Sequence, residues 1–496
     1  MKTLALLLIA LVPLLPLSAA IGLPLARWLA ERRGRPFAWQ SERVALLALA
    51  ASVSILLGID VAALYQGAPG TVDWGIWFAA GRFYLPLAFA LDPLGLALAT
   101  LLAAAAFVAL RFTNPLRLDE PHAAGFLPAA CLVVAAALLA VLSANAAMLL
   151  LAWLLAALST YLLWNQAASE AASGFAVRLF IADYIGTLGF VFALALAYAW
   201  LGGVDWPTMG SAVPQLNGLA AGLLGFGFVL AASAKAGLLP FTTWPRLPSG
   251  QGGKGVRVFA AWPAYLAIVL LIRIEPILRQ APTLQALLIA LGIASAVYGF
   301  LLGYGARPER VPMRDMGHLG LMCLLCGAGL TVPAAAYLGL HWAYRAYRMV
   351  PMAPYGPALT AAEARLAGAA HWLWQRLFRP DGSALSARVD AAWVRPIQTL
   401  AQDMRVIEAQ IFNCRPDETE VALQGEAGER PGGLGRSLNA LATALYRIEA
   451  NLLVDAEGRM TRVLRLVGVW LQALEELLEQ PRYLLLIVAA VLAAAL

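Results

Sequence analysis

One lysine stands inside an otherwise apolar stretch of this chain. Lys235 ends a run of small and apolar residues that starts at Gly225, and Gly237 and Pro240 follow it closely. A charge near the centre of a bilayer costs at least ~3 kcal/mol on insertion scales, so it is retained where a cavity, a partner or a proton path receives it. Backbone groups freed by glycine and proline are tolerated at membrane depth mainly when they are buried or line water. We therefore expect a helix break at Gly237 and Pro240 and a functional role for Lys235; the alternative is a lysine at a helix end whose amine extends to the interface.

Three further ionisable residues could pass protons to or from this lysine. Asp183, His318 and His341 lie in or beside apolar runs, and carboxylates and imidazoles accept and release protons. Each also has a structural alternative. Asp183 could pair with Arg178, His318 could lie at an interface, and His341 could be hydrogen-bonded within a helix bundle.

Composition predicts the fold class. The chain has 496 residues, of which 61% are hydrophobic and 13% charged, and its mean hydropathy is +0.74. Repeated runs of about 20 apolar residues indicate an all-α, polytopic helical membrane protein. The net charge of +6 does not point to nucleic acid, because the arginines fall in short loops between apolar runs.

We predict about 12 transmembrane helices. The first runs from the N-terminus to Leu25, too long for a secretory signal peptide. The others are Val44 to Tyr65, Leu85 to Leu110, Ala124 to Leu142, Ala146 to Trp164, Leu179 to Leu201, Leu219 to Phe241, Val258 to Ile274, Leu284 to Tyr304, Gly317 to Leu330, Val332 to Val350, and Tyr483 to Leu496.

The basic residues alternate with these spans. Loops on one side hold fourteen arginines and lysines: Arg27, Arg32, Arg33, Arg35, Arg43, Arg111, Arg117, Arg178, Arg246, Lys254, Arg257, Arg307, Arg310 and Arg314. The opposite loops hold only Arg82, Arg273 and Arg279, besides Lys2. Positive loops stay in the cytoplasm, so we expect an inner-membrane protein with its N-terminus outside and residues 351–481 inside.

The stretch 351–481 has a different character. It is more polar, and apolar residues recur at steps of three and four in two stripes, one from Leu438 to Leu452 and one from Met460 to Leu478. This pattern predicts amphipathic helices that lie along the membrane or against partner helices, with a small cytoplasmic helical domain as the alternative. Residues 482–496 would form an anchoring span.

Nothing in the sequence calls for a cofactor or a metal in this chain. Cys131, Cys323, Cys326 and Cys414 are scattered and lack further ligands at zinc-site spacing, so we interpret them as packing residues. A phosphate-binding loop and a dinucleotide fingerprint are absent. Any redox cofactor would belong to a partner chain.

Five stretches, taken in order, resemble the antiporter-like membrane subunits of respiratory complex I. The resemblance is strongest to subunit L and its relatives in Mrp antiporters and membrane-bound hydrogenases. The stretches are 91–96 (LDPLGL), 143–164 with Trp153, 180–190 with Asp183, Lys235 with Pro240 and Trp244, and 318–346 with His318, His341 and Arg345. They cover roughly residues 85–350.

This resemblance implies a fold and a division of the chain. Inverted repeats with discontinuous helices along an ion path are expected, with N-terminal spans in residues 1–84 and the antiporter-like core in residues 85–350. Residues 351–481 would contain a lateral helix that braces neighbouring subunits, and residues 482–496 its anchor. The implied partners are other membrane subunits, the lipid bilayer, and a soluble redox or carbonic-anhydrase-like protein.

The sequence also departs from the family pattern. The glutamate that the family places after the tryptophan of its fifth helix is Leu154 here, and the eighth-helix histidine is absent near Phe259 and Ala260. Arg345 replaces the lysine of the family's eleventh helix, and arginine holds a field but carries protons poorly. A full proton channel is therefore less favoured than a shortened subunit with a coupling or scaffolding role.

We thus expect an antiporter-like subunit of a proton-translocating or redox-linked complex, with Lys235, Asp183, His318, His341 and Arg345 as the candidate ion path. The alternatives are the membrane subunit of an energy-coupled inorganic-carbon uptake complex and a stand-alone cation/proton antiporter. Whether the complex is an oxidoreductase of the quinone reductase or hydrogenase type is left open by the sequence.

Overall fold

The structure is a computed structural model of the chain. It describes residues 2–33, 41–68, 70–80, 83–113, 120–165, 170–241, 254–302, 311–347 and 349. The predicted lateral helix and final anchoring span lie outside the described residues, and the division of the chain into four segments stays a prediction.

The described residues form a helical bundle with one β-hairpin. The helices in chain order are α1 (Lys2–Arg32), α2 (Ser41–Gln66), α3 (Pro93–Phe112), α4 (Glu120–Val141), α5 (Ala146–Asn165), α6 (Glu170–Leu201), α7 (Trp206–Ala212), α8 (Gly218–Ala236), α9 (Lys254–Ala261), α10 (Leu266–Arg273), α11 (Glu275–Gln280), α12 (Pro282–Leu302), α13 (Val311–Gly327) and α14 (Thr331–Tyr347). The hairpin comprises β1 (Gly70–Ala80) and β2 (Phe83–Leu91).

Most of the long helices can cross a membrane. Seven helices of the described part are long and apolar enough to do so, and Gly125–Val141 and Val258–Arg273 are shorter apolar helical stretches. The predicted polytopic helical membrane fold is confirmed. The figure of 12 spans is not reached by these criteria within the described ranges.

The β-hairpin corrects the predicted start of the third span. Leu85 was expected to begin a helix, but residues 83–91 pair with residues 70–80 in an antiparallel hairpin. Asp92 caps α3 instead, accepting a hydrogen bond from Gly95 N at 3.1 Å, and Pro93 occupies the first helical position. Apart from Asp92 at the boundary, residues 83–110 are predominantly apolar, so mean hydropathy alone does not separate the strand from the helix.

The eighth predicted span is interrupted. A 3₁₀ turn at Trp262–Tyr265 separates α9 from α10. Pro263 lacks the N–H that a continuous α-helix would use, and its ring obstructs the preceding turn. This break turns residues 262–265 into a short connection that lies within the bundle, since all four are buried.

Glycines bring two pairs of helices into close contact. On α6 and α8, a Cβ atom at Gly227 would lie 2.5 Å from Gly189 O, and one at Gly186 would lie 2.7 Å from Ala234 Cβ. On α12 and α13, Gly292 and Gly320 are similarly close. Small residues let membrane helices approach until their backbones touch, so α6 and α8 hold their side chains at short range.

Candidate functional site

Lys235 lies in the last turn of α8 and is buried. Its exposed fraction is 6%. The helix ends at Ala236, directly before the predicted break, where Gly237 adopts a left-handed φ of 65°. Leu238 N donates to Ser233 O at 3.0 Å, which closes the helix in a glycine-dependent cap. The side chain is therefore buried within the helix bundle, whereas the alternative interpretation required an amine that extends out of it.

Asp183 of α6 supplies the counter-charge. Lys235 Nζ donates to Asp183 Oδ2 at 2.7 Å. It also donates to the carbonyl oxygen of Trp153 on α5 at 3.2 Å, and it lies 4.5 Å from the centroid of the Trp153 ring. A buried charge needs both a partner and hydrogen bonds, and this ammonium group has each of them. The carboxylate thus pairs with Lys235, whereas Arg178 was the alternative partner considered from sequence.

Leu154 does not take part in this arrangement. Its side chain is 47% exposed on the outer surface of α5. The carboxylate that the family places on the fifth helix comes here from the sixth helix. The contacts of α5 with the ammonium group come from Trp153, through its carbonyl oxygen and its ring.

A small cavity adjoins the ion pair. Its volume is about 30 Å³, which is enough to hold a water molecule. The lining includes Thr160, Tyr161, Phe180, Asp183, Lys235 and Pro263. Among the residues that the structure describes, Asp183 Oδ1 has no hydrogen-bonding partner. An unpaired carboxylate oxygen on a residue that lines a water-sized space is an acceptor for water or for a proton.

A second buried charge cluster lies between α13 and α14. Arg345 Nη1 donates to Asp315 Oδ2. His341 Nε2 lies 3.5 Å from Asp315 Oδ1, an ion-pair distance that is long for a hydrogen bond. Arg345 Nη1 also approaches the hydroxyl oxygen of Tyr265 at 3.4 Å.

His318 joins this cluster from its less buried side. Its ring centroid is 4.7 Å from that of His341, and its Nδ1 is 2.6 Å from the hydroxyl oxygen of Tyr337. The structure therefore divides the five predicted residues between two centres. Lys235 and Asp183 form the first, and His318, His341 and Arg345 belong to the second.

Sequence reasoning missed Asp315 and Tyr265. Asp315 lies next to Arg314 just before the predicted span beginning at Gly317, so it was assigned to the preceding polar loop. The available signal was its spacing from His318, because residues three apart share one face of a helix. Tyr265 carried no such signal, since its role depends on the turn at Pro263.

The described residues were also compared with the requirements of a metal site and of a disulfide. There, no group of three or more histidine, cysteine or acidic side chains could hold a metal ion. Cys131, Cys323 and Cys326 are buried free thiols. Cys414 lies outside the described residues.

Comparison with known sequences finds a family match within the helical bundle. Residues 143–347 match the family model described as NADH:quinone oxidoreductase/Mrp antiporter, TM. NAD(P)H-quinone oxidoreductase subunit 5, organellar chromatophore 1, of Paulinella chromatophora is 22% identical over 386 residues, covering 74% of this chain and 53% of that protein. The probable inorganic carbon transporter subunit DabB1 of Halothiobacillus neapolitanus is 25% identical over 349 residues, covering 68% and 59%. The chain thus spans about half the length of these curated relatives.

Solved structures share the fold. A chain of the Mrp complex from Dietzia sp. DQ12-45-1b matches with a TM-score of 0.58 and 20% identity, covering 69% of this chain and 37% of that one. A chain of respiratory complex I from Thermus thermophilus matches with a TM-score of 0.55 and 17% identity, covering 90% and 87%. The predicted resemblance is confirmed: residues 143–347 match the NADH:quinone oxidoreductase/Mrp antiporter transmembrane family, and the chain is similar to antiporter-like membrane subunits.

Proposed function

We propose that this chain is a membrane subunit of a multi-subunit proton-translocating or redox-linked complex, and that the Lys235–Asp183 pair couples ion movement to the activity of that complex. The observation that carries the proposal is the 2.7 Å contact between two opposite charges at a buried site. An ion pair of this kind is costly in a bilayer, and a purely structural contact could be made by apolar residues at no such cost. The matched family supports the same role.

The geometry supports a switch in the ion pair. Oδ2 of Asp183 holds the ammonium group, whereas Oδ1 is buried without a hydrogen-bonding partner among the described residues, and Asp183 lines the cavity. A proton that reaches the carboxylate neutralises it and so weakens its hold on Lys235. The freed ammonium group can then move or lose its own proton. Asp183 thereby takes the part that Leu154 cannot play.

We place the cavity on the cytoplasmic half of the membrane. Most of its lining comes from the C-terminal halves of α5 and α8 and from the N-terminal half of α6, and Ala260, Pro263 and Ala264 complete it. With the N-terminus outside an inner membrane, these ends all face the cytoplasm, where the loop arginines concentrate. Labelling with a membrane-impermeant maleimide tests this orientation: Ser211→Cys in α7 should react from outside, and Arg33→Cys only after permeabilisation. The reverse pattern would refute it.

The implied partners are other membrane subunits and a soluble protein. Relatives of this chain are named as subunits, and the matched structures are of complexes. We assign redox cofactors to partner chains. The oxidoreductase activity, if the complex has one, would reside there as well.

An inorganic-carbon uptake complex is the second candidate function. The similarity to the probable inorganic carbon transporter subunit DabB1 favours it. Copurification from the native membrane separates the candidates. Quinone-reductase or hydrogenase subunits support the first, a single carbonic-anhydrase-like partner supports the second, and a lone active chain would identify a stand-alone cation/proton antiporter.

Replacing Lys235 by alanine tests the coupling role. In the intact complex reconstituted in liposomes, we expect Lys235→Ala to lower proton-coupled activity roughly tenfold or more, with assembly preserved. Arg279→Ala is the matched control, because it removes an exposed cation that pairs with Glu275. Unchanged activity in Lys235→Ala would instead assign the chain a scaffolding role.

A further inference from the structure

Asp315 is the central group of the second buried cluster. Its exposed fraction is 4%, and those of His341 and Arg345 are 5% and 7%. Its two carboxylate oxygens have different partners. Oδ2 accepts from Arg345, and Oδ1 faces His341 Nε2 at 3.5 Å.

The charges of this cluster assign different roles to its members. Asp315 and Arg345 cancel each other, and arginine does not release its proton under physiological conditions. Arg345 therefore keeps Asp315 ionised without itself carrying protons. A second carboxylate oxygen remains for the imidazole of His341.

An ionised carboxylate can only accept hydrogen bonds. Nε2 of His341 faces this acceptor at 3.5 Å without completing a hydrogen bond, and a hydrogen on Nε2 is the arrangement that an acceptor at this position favours. Carboxylates fix the tautomer and the ring orientation of histidines in this way, and they stabilise the protonated ring. Orienting His341 also sets its position against His318, whose ring centroid is 4.7 Å away.

The second histidine leads out of the buried region. His318 and Tyr337 are both half-buried, and His318 Nδ1 lies 2.6 Å from the Tyr337 hydroxyl oxygen. The order Tyr337, His318, His341, Asp315 thus runs from a partly exposed phenol to a buried carboxylate.

We propose that Asp315 is a positioning residue of a second proton-binding centre: with Arg345 on one carboxylate oxygen, it uses the other to orient His341 toward His318. This inference rests on the proposed function, because only a chain that moves protons would supply a proton for the two histidines to pass. The competing interpretation is an ion pair that only fastens α13 to α14.

A charge-neutral double variant separates these interpretations. Asp315→Asn/Arg345→Gln removes both charges together, so no unpaired charge stays buried. Asp92→Asn/Arg273→Gln is the matched control, since that pair joins α3 to α10, with 2.9 Å between Arg273 Nη2 and Asp92 Oδ1, and asparagine still caps α3. We expect the first variant to assemble and lose proton-coupled activity roughly tenfold or more, and the control to keep it.

Nitrogen NMR of the full chain in membranes measures the protonation of the histidine nitrogens. That signal would not change if the Asp315–Arg345 pair only fastened α13 to α14. The chain has four histidines, so ¹⁵N-histidine labelling gives few resonances, and His341→Gln identifies the one that disappears. We expect a protonated Nε2 at His341 in the wild type. In Asp315→Asn/Arg345→Gln this resonance should shift. If that variant fails to assemble, Asp315→Glu replaces it, because it keeps the charge but displaces the oxygens.

Three results would overturn the inference. They are a bare Nε2 at His341 in the wild type, an unchanged His341 resonance in the Asp315 variant, and wild-type activity in that variant. Lys235→Ala distinguishes this failure from that of the proposed function. If Lys235→Ala abolishes activity while the Asp315 variant retains it, only the role of Asp315 is refuted.

Discussion

Lys235 and Asp183 meet the physical requirements for a charge inside a bilayer. The ammonium group has a carboxylate at 2.7 Å, a carbonyl oxygen at 3.2 Å and the face of an indole ring at 4.5 Å. Removing a single partner leaves the other charge buried without compensation, which is far more costly than removing both. Stability and activity can therefore be separated by choosing which partners are changed.

We predict that Asp183→Asn lowers the free energy of unfolding by about 3–5 kcal/mol, because Lys235 is then buried without a counter-charge. Asp183→Leu/Lys235→Met should regain most of that stability, because two apolar side chains of similar size fill the site. Its proton-coupled activity should stay low. Thermal unfolding of the detergent-solubilised chain measures the first effect, and liposome assays measure the second.

A double variant that recovered both stability and activity would show that the ion pair serves packing alone.

The sequence predicted both residues as functional but did not predict that they pair. The two residues are 52 positions apart in the chain, and their pairing depends on how the two helices rotate and approach each other. Asp315 was missed for a related reason. Its importance comes from α14, which contributes Arg345 and His341 after the intervening turn.

At the scale of elements, the contact of α6 with α8 sets the distance between the two charges. Gly186, Gly189 and Gly227 leave no room for side chains between these helices. Asp183 and Lys235 lie within one turn of the Gly186–Ala234 contact. Backbone contact between the helices therefore keeps the carboxylate within hydrogen-bonding distance of the ammonium group.

We predict that Gly227→Ala weakens this contact. Its Cβ would lie 2.5 Å from Gly189 O and 3.0 Å from Ala193 Cβ, so the helices must separate, at a cost of about 1–3 kcal/mol. Gly222→Ala in the same helix has nothing within 4 Å and should be neutral or stabilising, because alanine favours helix. Thermal unfolding and proton-coupled activity should both fall in Gly227→Ala alone. Equal behaviour of the two variants would contradict the role of this contact.

Long apolar helices were predictable because each needs only a run of apolar residues of membrane length. The hairpin at 70–91 was not, since its second strand is apolar like α3 and only Asp92 separates the two elements. The turn at Trp262–Tyr265 was also missed, although Pro263 is visible in the sequence. Proline marks a break, but tertiary packing decides how the chain continues after it.

At the scale of the whole molecule, the described bundle contains two charge centres with a short connection between them. Pro263 and Ala264 line the cavity beside Lys235, and the hydroxyl group of the next residue, Tyr265, contacts Arg345. A displacement of the 3₁₀ turn would therefore change the contacts of both centres. Family resemblance predicted this type of bundle, whereas the connection follows from packing that sequence does not specify.

The central claim is that the Lys235–Asp183 pair opens when the complex works. The most direct measurement is infrared difference spectroscopy of the intact complex, at rest and during turnover, with ¹³C-labelled aspartate and Asp183→Asn as the control. The account predicts a carboxylic acid band that appears during turnover, shifts with the label and is absent from Asp183→Asn. A complex that transports protons while Asp183 stays ionised throughout would contradict it.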